Sequence, residues 1–130
     1  MKNYKALVQK SFEAVVQNLK YDEALIREYF STEYIQHVDG KTLDFVQFCR
    51  HMQVQKLAVK TIAIGFKTLI QEGNTVFSNH LVTIETKEGR RAVVQVIAEF
   101  WLKDGKIVYC DELTCQLSGD GADGDLGSRN

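Results

Sequence analysis

Three glycine turns constrain this chain more than any other feature. Glu72-Gly73-Asn74, Glu88-Gly89 and Asp104-Gly105 divide residues 57–117 into four long runs. The runs read "LAVKTIAIGFKTLIQ", "TVFSNHLVTIETK", "RRAVVQVIAEFWLK" and "KIVYCDELTCQL". β-Branched and aromatic segments joined by tight glycine turns predict consecutive hairpins, and so an antiparallel meander. A sheet with one wet face would alternate apolar and polar residues. Here Val93, Val94, Val96 and Ile97 crowd together. Both faces of the sheet are therefore expected to be covered, one by helices and the other by a second subunit.

The first part of the chain, to about residue 56, carries a different period. Tyr4, Leu7, Val8, Phe12, Val15, Val16 and Leu19 recur at spacings of three and four, which is one apolar stripe on a helix. Asp22 is placed to cap a short second helix with Leu25, Ile26, Tyr29 and Phe30 inside. "STEYIQHVDGK" breaks the period, and Asp39-Gly40 signals a turn. Thr42 is a candidate cap for a third helix, with Asp44 in its first turn against the helix dipole. That helix draws its buried face from Leu43, Phe45, Val46, Phe48, Cys49 and Met52. Helices followed by a long antiparallel sheet make an α+β domain. We expect residues 1–117 to form one domain. Residues 118–130, "SGDGADGDLGSRN" with its preceding boundary, form a flexible Gly/Asp-rich tail, because Leu126 alone brings it apolar weight.

Composition excludes several function classes. The formal net charge is −1 and no Lys/Arg run exceeds Arg90-Arg91, so neither nucleic acid nor an anionic membrane is an expected partner. Cys49, Cys110 and Cys115 are odd in number and form no CxxC pair. Without a signal peptide or a run of 18 apolar residues, they read as free thiols in a reducing cytoplasm rather than disulfides or a zinc site. "DGADGD" lacks the EF-hand spacing and a closing glutamate, so no metal is expected there. No GxGxxG or P-loop is present, and no cofactor is expected. Cys49 and His51 are two apart on a helix and do not face each other.

"YFSTEYIQHVDGKTLDF", followed by a meander closing in "FWLKDGKIVYCDELT", resembles the NTF2-like superfamily and, within it, SnoaL-like proteins with a terminal "DELT" strand. The likeness spans residues 3–117 and rests on the order and spacing of loose motifs. It implies a cone in which three N-terminal helices pack on a curved, mainly antiparallel sheet and enclose a pocket. It also implies a homodimer through the outer sheet face. It leaves the chemistry open, since the fold hosts isomerases, cyclases, dehydratases, hydrolases and pure binding modules.

Candidate site residues follow from both readings. In SnoaL-like proteins the Tyr-x-x-His stretch lines the pocket mouth, which makes Tyr34 a candidate ligand contact and His37 a candidate acid/base. Ile35 and His37 share one side of the segment, and Ile35 favours the interior, so His37 is expected to line the cavity. Asp111 and Glu112 are neighbours on a strand, so only one can face inward. Asp111 shares its parity with the apolar set Ile107, Tyr109, Leu113, Cys115 and Leu117, which points Asp111 inward. Counting from "GKI" along the family pattern "GKIVEHWD" instead selects Glu112. This chain has Cys110-Asp111 where that pattern has His-Trp. Whichever carboxyl is buried should have its pKa raised into an acid/base range. His80, on the face of Val76, Val82 and Ile84, is expected to point inward. Gln95 and Glu99 are further ligand-contact candidates, and Glu99 is also a candidate ion-pair partner of Arg91.

Two functions fit. One is a cofactor-independent acid/base enzyme, of isomerase, cyclase or hydrolase type, acting on a small apolar molecule. The other is a non-catalytic ligand-binding or dimeric interaction module using the same cavity.

Overall fold

The structure, a computed structural model, describes residues 2–119. Helix α1 spans Tyr4–Ser11 and runs directly into a π-helical turn, Phe12–Val16. Asn3 caps α1 by accepting from the Ala6 amide at 3.0 Å. The expected stripe holds through Val16, but Leu19 lies beyond the helical segment and is exposed. Lys56 closes the end of the π turn: its Nζ donates to the carbonyls of Val15 and Val16 at 2.7 and 2.8 Å. Those are end-of-helix acceptors with no helical partner of their own.

Helix α2 (Glu23–Tyr29) is capped by Asp22, as its sequence requires. The chain then departs from the helical reading. Residues 30–43 form a hairpin, β1 (Phe30–Val38) and β2 (Lys41–Leu43). Asp39 and Gly40 both take positive φ in its turn, 50° and 83°. This is the two-residue geometry that favours Asp-Gly. Thr42 therefore belongs to β2, and the cap of α3 (Phe45–Ala58) is Asp44. Asp44 and Gln47 form a reciprocal capping box, worth about 1 kcal/mol at its Ncap. Val46 points to solvent and Leu43 is buried from β2, not from the helix. The helix runs to Ala58, two residues past the expected boundary, with Leu57 exposed.

The remaining strands are β3 (Val59–Glu72), β4 (Thr75–Thr86), β5 (Arg91–Lys103) and β6 (Lys106–Ser118). They form the predicted meander inside a six-stranded curved sheet ordered β2-β1-β6-β5-β4-β3. All neighbours are antiparallel except β1 and β6, which run parallel. The helices pack on one face of the sheet. Phe12 sits at the centre, edge-on to Phe66, His80 and Phe100 at 5.4, 5.1 and 5.8 Å. Phe30, Tyr34 and Phe48 form a second aromatic group with centroids 4.9–5.0 Å apart. No helix among the described residues is long and apolar enough to cross a membrane. The "DGADGD" segment lies outside the described residues.

A β-bulge in β6 decides which side chains enter the core. Leu102 pairs with Ile107 and Trp101 with Tyr109, so Val108 is an extra residue. The face therefore switches: Ile107 is buried, Tyr109 is on the outside, and Cys110, Glu112 and Thr114 turn inward. The same kind of shift at Phe66–Thr68 in β3 keeps Phe66 and Leu69 both against the core.

Candidate functional site

The inner face of the sheet and α3 enclose a cavity of about 90 Å³. Pockets for drug-sized ligands usually measure roughly 300–1,000 Å³, so this one suits a small molecule. Its walls are apolar over most of their area, from Phe12, Val16, Phe30, Phe48, Met52, Ile62, Ile64, Val82, Ile84, Val94, Val96 and Phe100. Its polar groups are few: Tyr34, Gln36, His51, Gln55, His80, Glu112 and Thr114, with the Cys110 thiol.

Three of these form a directed chain. The Tyr34 hydroxyl, on a residue only 1% exposed, donates to Gln36 Oε1 at 2.7 Å. Gln36 Nε2 then donates to Glu112 Oε1 at 3.2 Å. Strand geometry sets this up. Tyr34 and Gln36 share the inward face of β1, and parallel pairing puts Gln36 beside Cys110 and Val38 beside Glu112. Glu112 is partly buried. Desolvation of its carboxyl, then the negative charges of Asp39 and Asp111, push its pKa up to about 8. Burial also lifts the Tyr34 phenol and the Cys110 thiol well above their ordinary ranges, so both stay protonated.

His80 occupies the opposite side of the cavity. Its Nδ1 is 2.8 Å from the Ser78 hydroxyl, and its ring packs against Phe12 and Phe66. Desolvation lowers its pKa to about 4, so it is a neutral imidazole at pH 7. The register sets His80 opposite Val96 and Thr114, one inward row away from Ser78, Ala98 and Glu112. Two strand spacings and one inward row separate the His80 and Glu112 backbones by about 12 Å. A small molecule fits between such side chains. Among the described residues no three His, Cys, Asp or Glu side chains gather to hold a metal ion.

The sequence candidates separate cleanly. Tyr34, His80 and Glu112 line the cavity. His37 does not. It lies on the outer face of β1, edge-on to Tyr109 at 5.5 Å, with Nδ1 2.8 Å from the Thr42 hydroxyl. The expectation fails because Ile35 is itself on the outer, half-buried side, while Tyr34, Gln36 and Val38 take the interior. Asp111 is likewise exposed on the outer face, beside His37 in the register and opposite Glu99. Its apolar parity set is the outer surface of the sheet beyond the Val108 bulge. Gln95 and Glu99 also face outward. Gln95 Nε2 donates to Asn79 Oδ1 at 2.9 Å, and Glu99 accepts from the Trp101 indole, not from Arg91, which pairs with Glu85 in the register.

Sequence reasoning passed over Gln36, Gln55 and Thr114, and weighed His51 only as a partner for Cys49. Gln36 carried a readable signal: it alternates with Tyr34 and Val38, two buried apolar residues. Gln55 follows Phe48 by seven and Met52 by three on α3, so it shares their inward face.

No family model matches the chain. An uncharacterized protein of Schizosaccharomyces pombe, C11D3.04c, is 31% identical over 107 residues, covering 82% of each chain. The fold has close structural likenesses. AclR, a candidate hydroxylase from Streptomyces galilaeus, superposes with a TM-score of 0.72 at 17% identity, over 97% of this chain and 85% of its own. An NTF2-like protein of unknown function from Burkholderia pseudomallei gives 0.72 at 13% identity over 96% of both chains. This chain has the NTF2-like fold. IdmH, a candidate polyketide cyclase from Streptomyces antibioticus, matches with a TM-score of 0.67 at 13% identity, over 82% of this chain and 90% of its own. At such identities the likeness is one of fold. The NTF2-like cone explains the cavity, and its polar residues are this chain's own.

Proposed function

We propose that this NTF2-like protein is a cofactor-independent acid/base enzyme acting on a small, mostly apolar molecule, with Glu112 as the proton-carrying group. The observation that carries this reading is a single carboxyl inside an apolar cavity, oriented by Gln36, with its pKa at about 8. A carboxyl poised there exchanges its proton readily at neutral pH, where an ordinary glutamate is only a carboxylate. As a carboxylate, Glu112 removes a proton from a carbon next to a carbonyl. As the acid so formed, it returns that proton to the same or a neighbouring carbon. The cycle consumes nothing and favours isomerisation. Covalent chemistry is less suited to the site, because Cys110 is held as the thiol and the thiolate is the nucleophile.

One observation favours the non-catalytic alternative: Glu112 is the only carboxyl among the described residues that line the cavity, so one group must serve as both acid and base. A thermal-shift screen of small hydrophobic acids, ketones and lactones identifies ligands, since a native-state ligand raises the melting temperature. Hits with activated C–H bonds are then incubated in D2O. Protein-catalysed exchange that disappears in Glu112→Gln supports the enzyme. Binding without exchange in the wild type supports the binding module.

The reading extends to assembly. A homodimer through the outer sheet face covers Ile97, Trp101, Leu113 and Leu117, which are 46–67% exposed. Ile97 pairs with Leu113 and Trp101 with Tyr109 across β5 and β6, and the outward-facing Glu99–Asp111 pair lies between these two apolar rows. Surfaces of that kind mark interaction sites.

A further inference from the structure

Gln55 holds a polar group in the wrong place for a resting core. Its residue is 7% exposed, it lines the cavity, and its Oε1 makes no hydrogen bond among the described residues. A buried acceptor left in this way is unfavourable, and native structures tolerate few of them. His51, one helical turn before Gln55 on α3, also lines the cavity, and the other walls there are largely hydrocarbon.

We infer that Gln55 anchors the ligand, and that the ligand is a small apolar compound carrying a hydroxyl. A hydroxyl both donates and accepts, so it satisfies either end of a carboxamide. Phe48, which packs edge-on to Tyr34, lies seven residues before Gln55 on α3, roughly 10 Å along the helix axis. The Tyr34–Gln36–Glu112 chain and Gln55 therefore serve different ends of the cavity. The first faces one end of the bound molecule, and the second fixes where the molecule sits. The inference rests on the cavity being a ligand site, and not on Glu112 being catalytic.

The test compares phenol with toluene, which have nearly the same shape, by isothermal titration at pH 6.5. Wild type is expected to bind phenol about tenfold more tightly, since a buried acceptor gains its missing donor. Gln55→Leu is expected to fold, to melt no lower than wild type, and to lose or reverse the phenol preference. Gln55→Met is the substitute should the leucine variant not fold. Glu112→Gln is expected to keep the preference. Equal affinities in wild type, no saturable phenol binding, a preference that survives in the Gln55 variants, or one that vanishes in Glu112→Gln would each overturn the inference. Failure of Glu112 to exchange protons leaves these outcomes unchanged, so the two readings fail separately.

Discussion

Gln36 and Glu112 meet across the one parallel junction of the sheet, Nε2 to Oε1 at 3.2 Å. They lie 76 positions apart in the chain. Tyr34 fixes the amide from behind by donating to its oxygen, so the nitrogen must point at the carboxyl. The donor favours the ionised form of Glu112, while burial and the charges of Asp39 and Asp111 oppose it.

Removing that donor should therefore raise the Glu112 pKa further. In Gln36→Leu the carboxyl titration should move to a higher pH than in wild type. Tyr34 also loses its acceptor, and a buried hydroxyl left without one costs about 1–3 kcal/mol. Chemical denaturation measures that loss. An unshifted titration would mean that the 3.2 Å contact is not a functional hydrogen bond.

The pH dependence of stability has a worked sign. Glu112 has a folded pKa of about 8, above its ordinary 4.5, so the folded state holds the extra proton between those values. Stability from this group is full below about 4.5 and falls as pH rises to about 8. His80 acts oppositely. Its folded pKa of about 4 lies below 6.5, so stability falls as pH drops through that window. The two offset each other from about 4.5 to 6.5. Wild type should then lose stability between pH 6.5 and 8, by an amount on the order of a few kcal/mol at most. Glu112→Gln should be flat there. Equal slopes in the two proteins would remove Glu112 as the cause.

His37 gives a contrasting expectation. It lies outside the cavity, against Tyr109 and Thr42. His37→Ala should leave the Glu112 titration and ligand affinity unchanged within about twofold. A tenfold loss of affinity would restore the histidine to the site.

The outer face predicts the state of assembly. Trp101 stacks on Tyr109 at 4.2 Å, and exposed Ile97 and Leu113 pair on the same face beyond Glu99 and Asp111. Leu113→Asp places a charge in that patch and should convert a homodimer to monomer, as light scattering at micromolar concentration will show. The melting temperature may then be compared at matched concentration, because a dimer's stability depends on it. A wild type that is already monomeric would end the dimer proposal.

Much of the fold was legible because its signals are local. Asp22 before a helical stripe, and the glycines of three hairpins, act within a few residues of themselves. The site was less legible because it depends on register. A strand parity argument assumes unbroken pleating, and Val108 breaks it. The bulge sends Glu112 inward and Asp111 outward, against the apolar pattern and in agreement with the family spacing. The β1–β2 hairpin was hidden for a similar reason: β1 is held by parallel pairing with β6, nearly eighty residues away. Gln55 was missed because a glutamine on a helix usually signals a solvent face, and only the packed fold shows that this one is buried.

The central claim is that Glu112 carries a movable proton near neutral pH. Site-resolved carbon NMR of the glutamate carboxyls, with Glu112→Gln to assign the resonance, measures it directly. The account predicts one carboxyl with a midpoint near 8 that is absent from the variant. A Glu112 midpoint near the ordinary 4.5 would contradict it.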